Sequence, residues 1–275
     1  MRLDLPALRG MQSIGFMAAV GLLRIGPAGC RLGWRLDTQT AFIEGVDQES
    51  LLDHLVTHMN GRSASPELHL ADDVRKYKLD DYRAACESGA VDSVEWVRCW
   101  WREDGDGLVP TDLCFTSGQQ RFIRMARELA ASLDPSANSK AASKVRGKFS
   151  EALFGPWSYA DDAHSWGWDA STLRQGATTP EAPTGMPTEG VAGAYWLAWE
   201  SQPLFPCVYG QGTLGFEHKP RAWTWPTWAE PLGIAAVRAL VRQPDEAVAL
   251  GGNRYRAGVT KAGHYSWFEP GRVVL

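Results

Sequence analysis

The sequence predicts an α+β fold with a buried N-terminal helix, a central helical pair, antiparallel strands and a C-terminal hairpin. Three observations predict it. Residues 11–24 are apolar nearly all round, which puts a helix inside a core and not on a surface. Residues 117–154 hold two successive stretches with the apolar period of a helix. Short stretches of two-residue alternation stand near both ends of the chain, at 31–36 and 254–268.

The elements follow in order. Met11 to Arg24 is the N-terminal helix, with Gly15 and Gly21 allowing close approach. Leu32, Trp34 and Leu36 alternate in a strand over Arg31–Leu36, with Ala41–Ile43 as its partner. Asp47–Met59 reads as a helix with Leu51, Leu52, Leu55, Val56 and Met59 on one side, and Gly61–Pro66 as a loop. Asp72–Glu87 is a charged helix ending before Gly89. Val94, Trp96, Arg98 and Trp100 alternate, predicting a strand over Val94–Trp101, followed by a polar turn at Glu103–Gly107. Ser117 and Gln120 have capping-box spacing. Phe122, Met125, Ala126, Leu129, Ala130 and Leu133 then form one helical stripe, which Asp134-Pro135-Ser136 ends. A second helix runs from Ser139 to Phe154, turning Ala142, Val145, Phe149, Ala152 and Leu153 inward. Beyond it the chain is rich in Gly, Pro, Thr and Trp, and Thr178–Thr188 is a long polar loop. Val191–Glu200 and Pro231–Arg242 read as helices, Pro203–Gly215 as strand-like and Trp223–Trp228 as extended. Arg254–Phe268 is a hairpin turning at Lys261-Ala262-Gly263. The expectation is one domain over 1–275, in which 155–190 stands as a candidate loop-rich insertion.

With 44% hydrophobic and 22% charged residues the chain has the composition of a folded protein. Its 13 tryptophans outnumber its tyrosines and phenylalanines taken singly. Tryptophan fills cores, anchors interfaces and stacks on bases, and core is the first expectation. The net charge of −4 excludes a uniformly basic nucleic-acid binder, so any such contact must be a local patch. Five cysteines without a C-x-x-C pair argue against a disulfide framework or a structural zinc site. Ile14–Leu23 is an apolar run of ten preceded by Arg2 and Arg9. Asp4, Arg24 and Pro27 argue against an export leader, and ten residues fall short of the ~20 that span a bilayer. The expected compartment is the cytoplasm.

The local basic patch is the helical pair. Arg121, Arg124, Arg127, Lys140, Lys144, Arg146 and Lys148 face only Glu128 and Asp134, so this segment carries +5 within a chain of −4. Lys140, Lys144 and Lys148 recur at i, i+4 and i+8. Like charges so placed cost about a few tenths of a kcal/mol per pair, and a phosphate backbone would repay that cost through counterion release. An acidic protein patch, or a plain solvated face, would also fit. Gln119 and Gln120 stand where helix-start N–H groups favour an anion, although ordinary capping uses the same residues. Arg254 and Arg256 are interleaved with Tyr255, Lys261, His264, Tyr265, Trp267 and Phe268. That suits single-stranded nucleic acid, or a hairpin with one packed face. The candidate nucleic-acid contacts are thus Gln119, Gln120, Arg121, Arg124, Lys140, Lys144, Arg146, Lys148, Arg254 and Arg256.

Catalysis has less behind it. Asp161, Asp162, His164 and Asp169 are close enough in sequence to hold a metal, but a structural loop accounts for them equally. No phosphate-loop, G-x-S-x-G or H-E-x-x-H pattern is present. His54 and His58 read as helix surface. No catalytic, metal or cofactor residue is assigned.

Leu8-Arg9-Gly10 followed by Gly15-Phe16-Met17-Ala18-Ala19-Val20-Gly21-Leu22-Leu23-Arg24 resembles the opening of accessory and large-subunit proteins of type I-G CRISPR systems. Phe115-Thr116-Ser117-Gly118-Gln119-Gln120, Trp166-Gly167-Trp168-Asp169, Leu197-Ala198-Trp199-Glu200 with Pro203-Leu204-Phe205-Pro206, and Trp223-Thr224-Trp225-Pro226 with Pro231-Leu232 resemble that group as well. The resemblance implies antiviral defence, a partner complex holding guide RNA, and contact with RNA or target DNA. It brings no catalytic residues. The expectation is a non-enzymatic component of a CRISPR-type complex that packs against other effector subunits. The alternatives are a metal-dependent nuclease using the Asp161–Asp169 loop, and a protein–protein adaptor without nucleic-acid contact.

Overall fold

The structure, a computed structural model, describes residues 1–88, 91–117, 120–137, 139–171 and 189–274. It is an α+β fold built around two helices enclosed on all sides. Strand β1 (Arg2–Arg9), helix α1 (Ser13–Ile25), β2 (Arg31–Trp34) and β3 (Thr40–Glu44) form the first unit, an antiparallel sheet in the order β1-β3-β2. β1 is an element the sequence reading lacks. Its alternation of Leu3 and Leu5 with Arg2, Asp4 and Pro6 is short and is broken by a register shift between Leu5 and Arg9.

Every residue of α1 except Arg24 is buried. Its partner is α7 (Ala192–Glu200), in which all nine residues are buried. Neither helix has a polar face, so each must be covered all round. They cross at Gly21, where a Cβ would stand 1.8 Å from the Leu197 carbonyl oxygen. Glycine is required there because two backbones touch. No helix among the described residues is long and apolar enough to cross a membrane.

Helices α2 (Gln48–His58) and α3 (Leu79–Glu87) follow, the latter shorter than expected because Asp72–Tyr77 forms a turn and a short 3-10 segment instead. Residues Val91–Trp100 are helix α4, not the expected strand. Trp96, Val97, Cys99 and Trp100 are buried and Arg98 is exposed, which is a helical stripe. Alternation of Trp96 and Trp100 around Arg98 fits both periods over so short a run. The expected polar turn closes a hairpin of β4 (Trp101–Asp104) and β5 (Gly107–Pro110).

Helices α5 (Phe122–Ser132) and α6 (Ser139–Phe154) both form, and the apolar stripe of α5 is buried as read. α5 docks on the 3-10 turns Arg62–Ala64 and Pro66–His69 and on α7, while α6 docks on β1, α2 and α7. Short strands β6 (Asp161–Asp162) and β7 (Glu189–Gly190) pair across 172–188, which lie outside the described residues together with the loop read at Thr178–Thr188. Hairpin β8 (Cys207–Val208) and β9 (Gly212–Thr213) leads to β10 (Phe216–His218) and β11 (Arg221–Pro226). Helix α8 (Ile234–Leu240) precedes β12 (Arg254–Ala262), β13 (Tyr265–Phe268) and β14 (Arg272–Val274). These complete an antiparallel sheet in which β12 pairs with β11 on one side and with β13 and β14 on the other.

Eleven of the 13 tryptophans are buried, and Trp157 and Trp267 are half-buried. Trp96, Trp100, Trp166 and Trp168 gather round Trp199 of α7, with ring centroids 5.2–6.5 Å apart. A second group sets Trp34, Trp223 and Trp225 against Phe16 of α1. Indole N–H groups tie distant segments together, Trp225 donating to the Gly10 carbonyl at 2.8 Å and Trp228 to that of Leu32 at 2.6 Å.

Candidate nucleic-acid interface

The basic residues of α5 and α6 are brought to the surface, but most are matched by carboxylates from elsewhere in the chain. Arg124 pairs with Glu128 one turn on at 2.8 Å. Arg127 reaches Asp72 at 2.6 Å and donates to the Leu68 carbonyl. Arg121 lies 3.5 Å from Asp73, a buried carboxylate that Arg75 holds at 2.5 Å. Burial works to raise the Asp73 carboxyl, yet the Arg75 and Arg121 hydrogen bonds bring it below the usual carboxylate range. On α6, Arg146 pairs with Glu49 and Asp53 of α2. Lys148 pairs with Asp161, whose other oxygen accepts the Ala192 N–H at the start of α7 at 2.8 Å.

The three-lysine stripe is therefore reduced to two. Lys148 is turned into the joint between α6, β6 and α7, where the carbonyl of Lys148 itself would lie 2.5 Å from a Cβ at Gly193. Lys140 and Lys144 are exposed and make no ion pair among the described residues. They stand on one face of α6, one turn apart.

The expected anion site at the start of α5 is filled by the chain. Gln120 accepts from the Ser117 N–H at 3.2 Å, one half of a capping box, but the helix begins at Phe122. The N–H groups of Ile123 and Arg124 both donate to the Asp72 carbonyl, at 3.1 and 3.0 Å. Those donors are the ones an anion would use. Gln120 stays half-buried with its carbonyl held by Arg75, and Gln119 lies outside the described residues.

Arg254 and Arg256 sit on the outer face of β12, lining a surface groove of about 460 Å³ with Phe216, Glu217, Thr224 and Val274. Arg256 holds Glu217 at 2.8 Å across two strands, and Arg254 holds Asp245. Tyr255 and Phe268 are buried, while Trp267 is half-buried and Tyr265 exposed, so half of the interleaved aromatics belong to a packed face. Only Arg124–Glu128, at i,i+4 on one helix, was readable as a pair in the sequence; Arg127, Arg146 and Arg256 meet carboxylates from other elements.

Two of the three carboxylates of the alternative metal loop have separate employment, and Asp162 is exposed. Asp161 is held by Lys148 and α7, while Asp169 is buried and accepts from Tyr195 Oη at 3.1 Å and Ser171 N–H at 2.8 Å. Burial pushes the Asp169 carboxyl up and lowers His164. Among the described residues no group of three or more His, Cys, Asp or Glu side chains is placed to hold a metal ion.

Among the described residues one charge cluster is internal, built from positions remote from one another in the sequence. Glu200, at the end of α7, is 0% exposed and accepts from Arg24 at 2.8 Å, Arg62 at 2.9 Å and His58 at 3.1 Å. Burial works to raise its carboxyl, but Arg62, His58 and Arg24 outweigh it and hold it at about 2. His58, read as helix surface, is thus a half-buried partner of a core acid, and His54 meets the Ile25 carbonyl at 2.8 Å. Compared with known proteins, the chain matches no family model and no curated protein.

Proposed function

We propose that the chain is a non-enzymatic component of a CRISPR-type antiviral defence complex in the cytoplasm, contacting RNA or DNA backbone through α6 and packing against partner subunits. The observation that carries the contact is the Lys140–Lys144 pair. Both ammonium groups are exposed without an ion pair among the described residues, while Arg121, Arg124, Arg127, Arg146 and Lys148 each have a carboxylate partner. A lysine with no internal counter-charge is the side chain that gains most by meeting a phosphate. The resemblance to type I-G proteins supports the setting. The charge of −4 supports contact from within an assembly over solitary binding.

The test is binding of labelled single-stranded and duplex oligonucleotides by wild type and by a Lys140→Glu/Lys144→Glu double variant. The variant is expected to lose affinity uniformly across sequences. Its log–log salt dependence is expected to fall by about two, one for each phosphate contact removed. Affinity and salt slope equal to wild type would reject the reading.

A further inference from the structure

Four glycines lie within the described helices, and three have an internal reason. A Cβ at Gly15 would stand 2.5 Å from the Arg9 carbonyl oxygen, at Gly21 1.8 Å from that of Leu197, and at Gly193 2.5 Å from that of Lys148. Gly147 of α6 is the fourth. It is exposed, a Cβ there would meet no atom of the described residues within 4 Å, and its φ lies outside the left-handed region. Glycine is the poorest helix former after proline, and nothing among the described residues asks for it at 147.

Its position is on the face already singled out. Gly147 lies three residues past Lys144 and seven past Lys140, so the three share one side of the helix, about 10 Å from first to last. The longer side chains beside it are drawn away. Arg146 is turned to Glu49 and Asp53, Lys148 to Asp161, and Glu151 accepts from Ser158. The helix backbone is left bare next to two ammonium groups that make no ion pair among the described residues. We infer that Gly147 is where a nucleic-acid strand meets the α6 backbone at van der Waals distance while its phosphates pair with Lys140 and Lys144. The occupant is argued from charge complementarity. The inference rests on the reading of α6 proposed above and adds the contact point and the closeness of approach.

The test measures thermal melting of the full chain and its binding of a fluorescein-labelled 20-nucleotide single strand and duplex. The variants are Gly147→Ala, Gly147→Gln and Lys140→Gln/Lys144→Gln. Both Gly147 variants are expected to melt at or above wild type, since each improves the helix. Gly147→Gln is expected to bind about tenfold more weakly, a typical loss at a tightly packed contact. Wild-type affinity in Gly147→Gln, alongside weakened binding in the lysine variant, overturns the inference and leaves the proposed function standing. Should Gly147→Gln melt below wild type, Gly147→Ala decides, and its binding unchanged overturns the inference. A wild-type chain that binds neither probe overturns both.

Discussion

Taking the carboxylate from Glu200 would leave Arg24 and Arg62 facing a neutral group at a fully buried position. Breaking a buried pair costs up to about 3–5 kcal/mol when the surviving charge is left uncompensated, and less here because Arg62 keeps Glu67 and Arg24 keeps Glu95. Glu200→Gln is therefore expected to lower the melting temperature at neutral pH. The pH dependence has a definite sign. The folded carboxyl sits at about 2 against an ordinary 4.5, so its contribution is complete above about 4.5 and is lost as pH falls toward 2. The stability gap between wild type and Glu200→Gln should close across that interval, and a gap independent of pH would show that the ion pairs are not its source. Glu200 ends the all-buried helix α7 (Ala192–Glu200). Nothing local marks it as ionic, since Arg24, His58 and Arg62 are remote in the chain.

At the scale of elements, α1 and α7 depend on a single backbone approach. Gly21→Ala would place a methyl group 1.8 Å from the Leu197 carbonyl, far inside contact distance, with both helices enclosed and no room for either to retreat. Overpacking of this kind costs about 1–3 kcal/mol or more. Denaturant unfolding of Gly21→Ala should show a lower midpoint, and a midpoint equal to wild type would mean the helices are not in contact there. α1 was legible because an all-apolar helix has only one place to go. The stripe of α5 was legible because six apolar residues keep the helical period. α4 differs from the expected strand because Val94, Trp96 and Trp100, two and four residues apart, satisfy both periods within ten residues, and only burial on contact with α7 and its neighbours selects the helix. β1 was missed because its alternation is short and contains Pro6, while its pairing with β3 depends on residues about forty positions away.

For the whole molecule, the tryptophans give the clearest consequence. With eleven of 13 buried, they cannot serve as stacking platforms in the folded chain. Native fluorescence should be blue-shifted and poorly quenched by acrylamide, moving to the red on unfolding. An emission maximum already at the position of free tryptophan would contradict the core described.

The sequence by itself determined the α+β class, the enclosed N-terminal helix, the inward faces of α5 and α6 and the concentration of positive charge between Arg121 and Lys148. All of these depend on residues within a turn or two of each other, where periodicity is readable. Which of those charges remain available was decided only by the tertiary structure. Asp72, Glu49, Asp53 and Asp161 are drawn to Arg127, Arg146 and Lys148 from other elements, and the Asp72 carbonyl occupies the start of α5. Ion pairing follows distance in space, and apart from i,i+4 neighbours such as Arg124 and Glu128 the spacing of charges along the chain does not show it. That is why a stripe of three lysines narrows to Lys140 and Lys144.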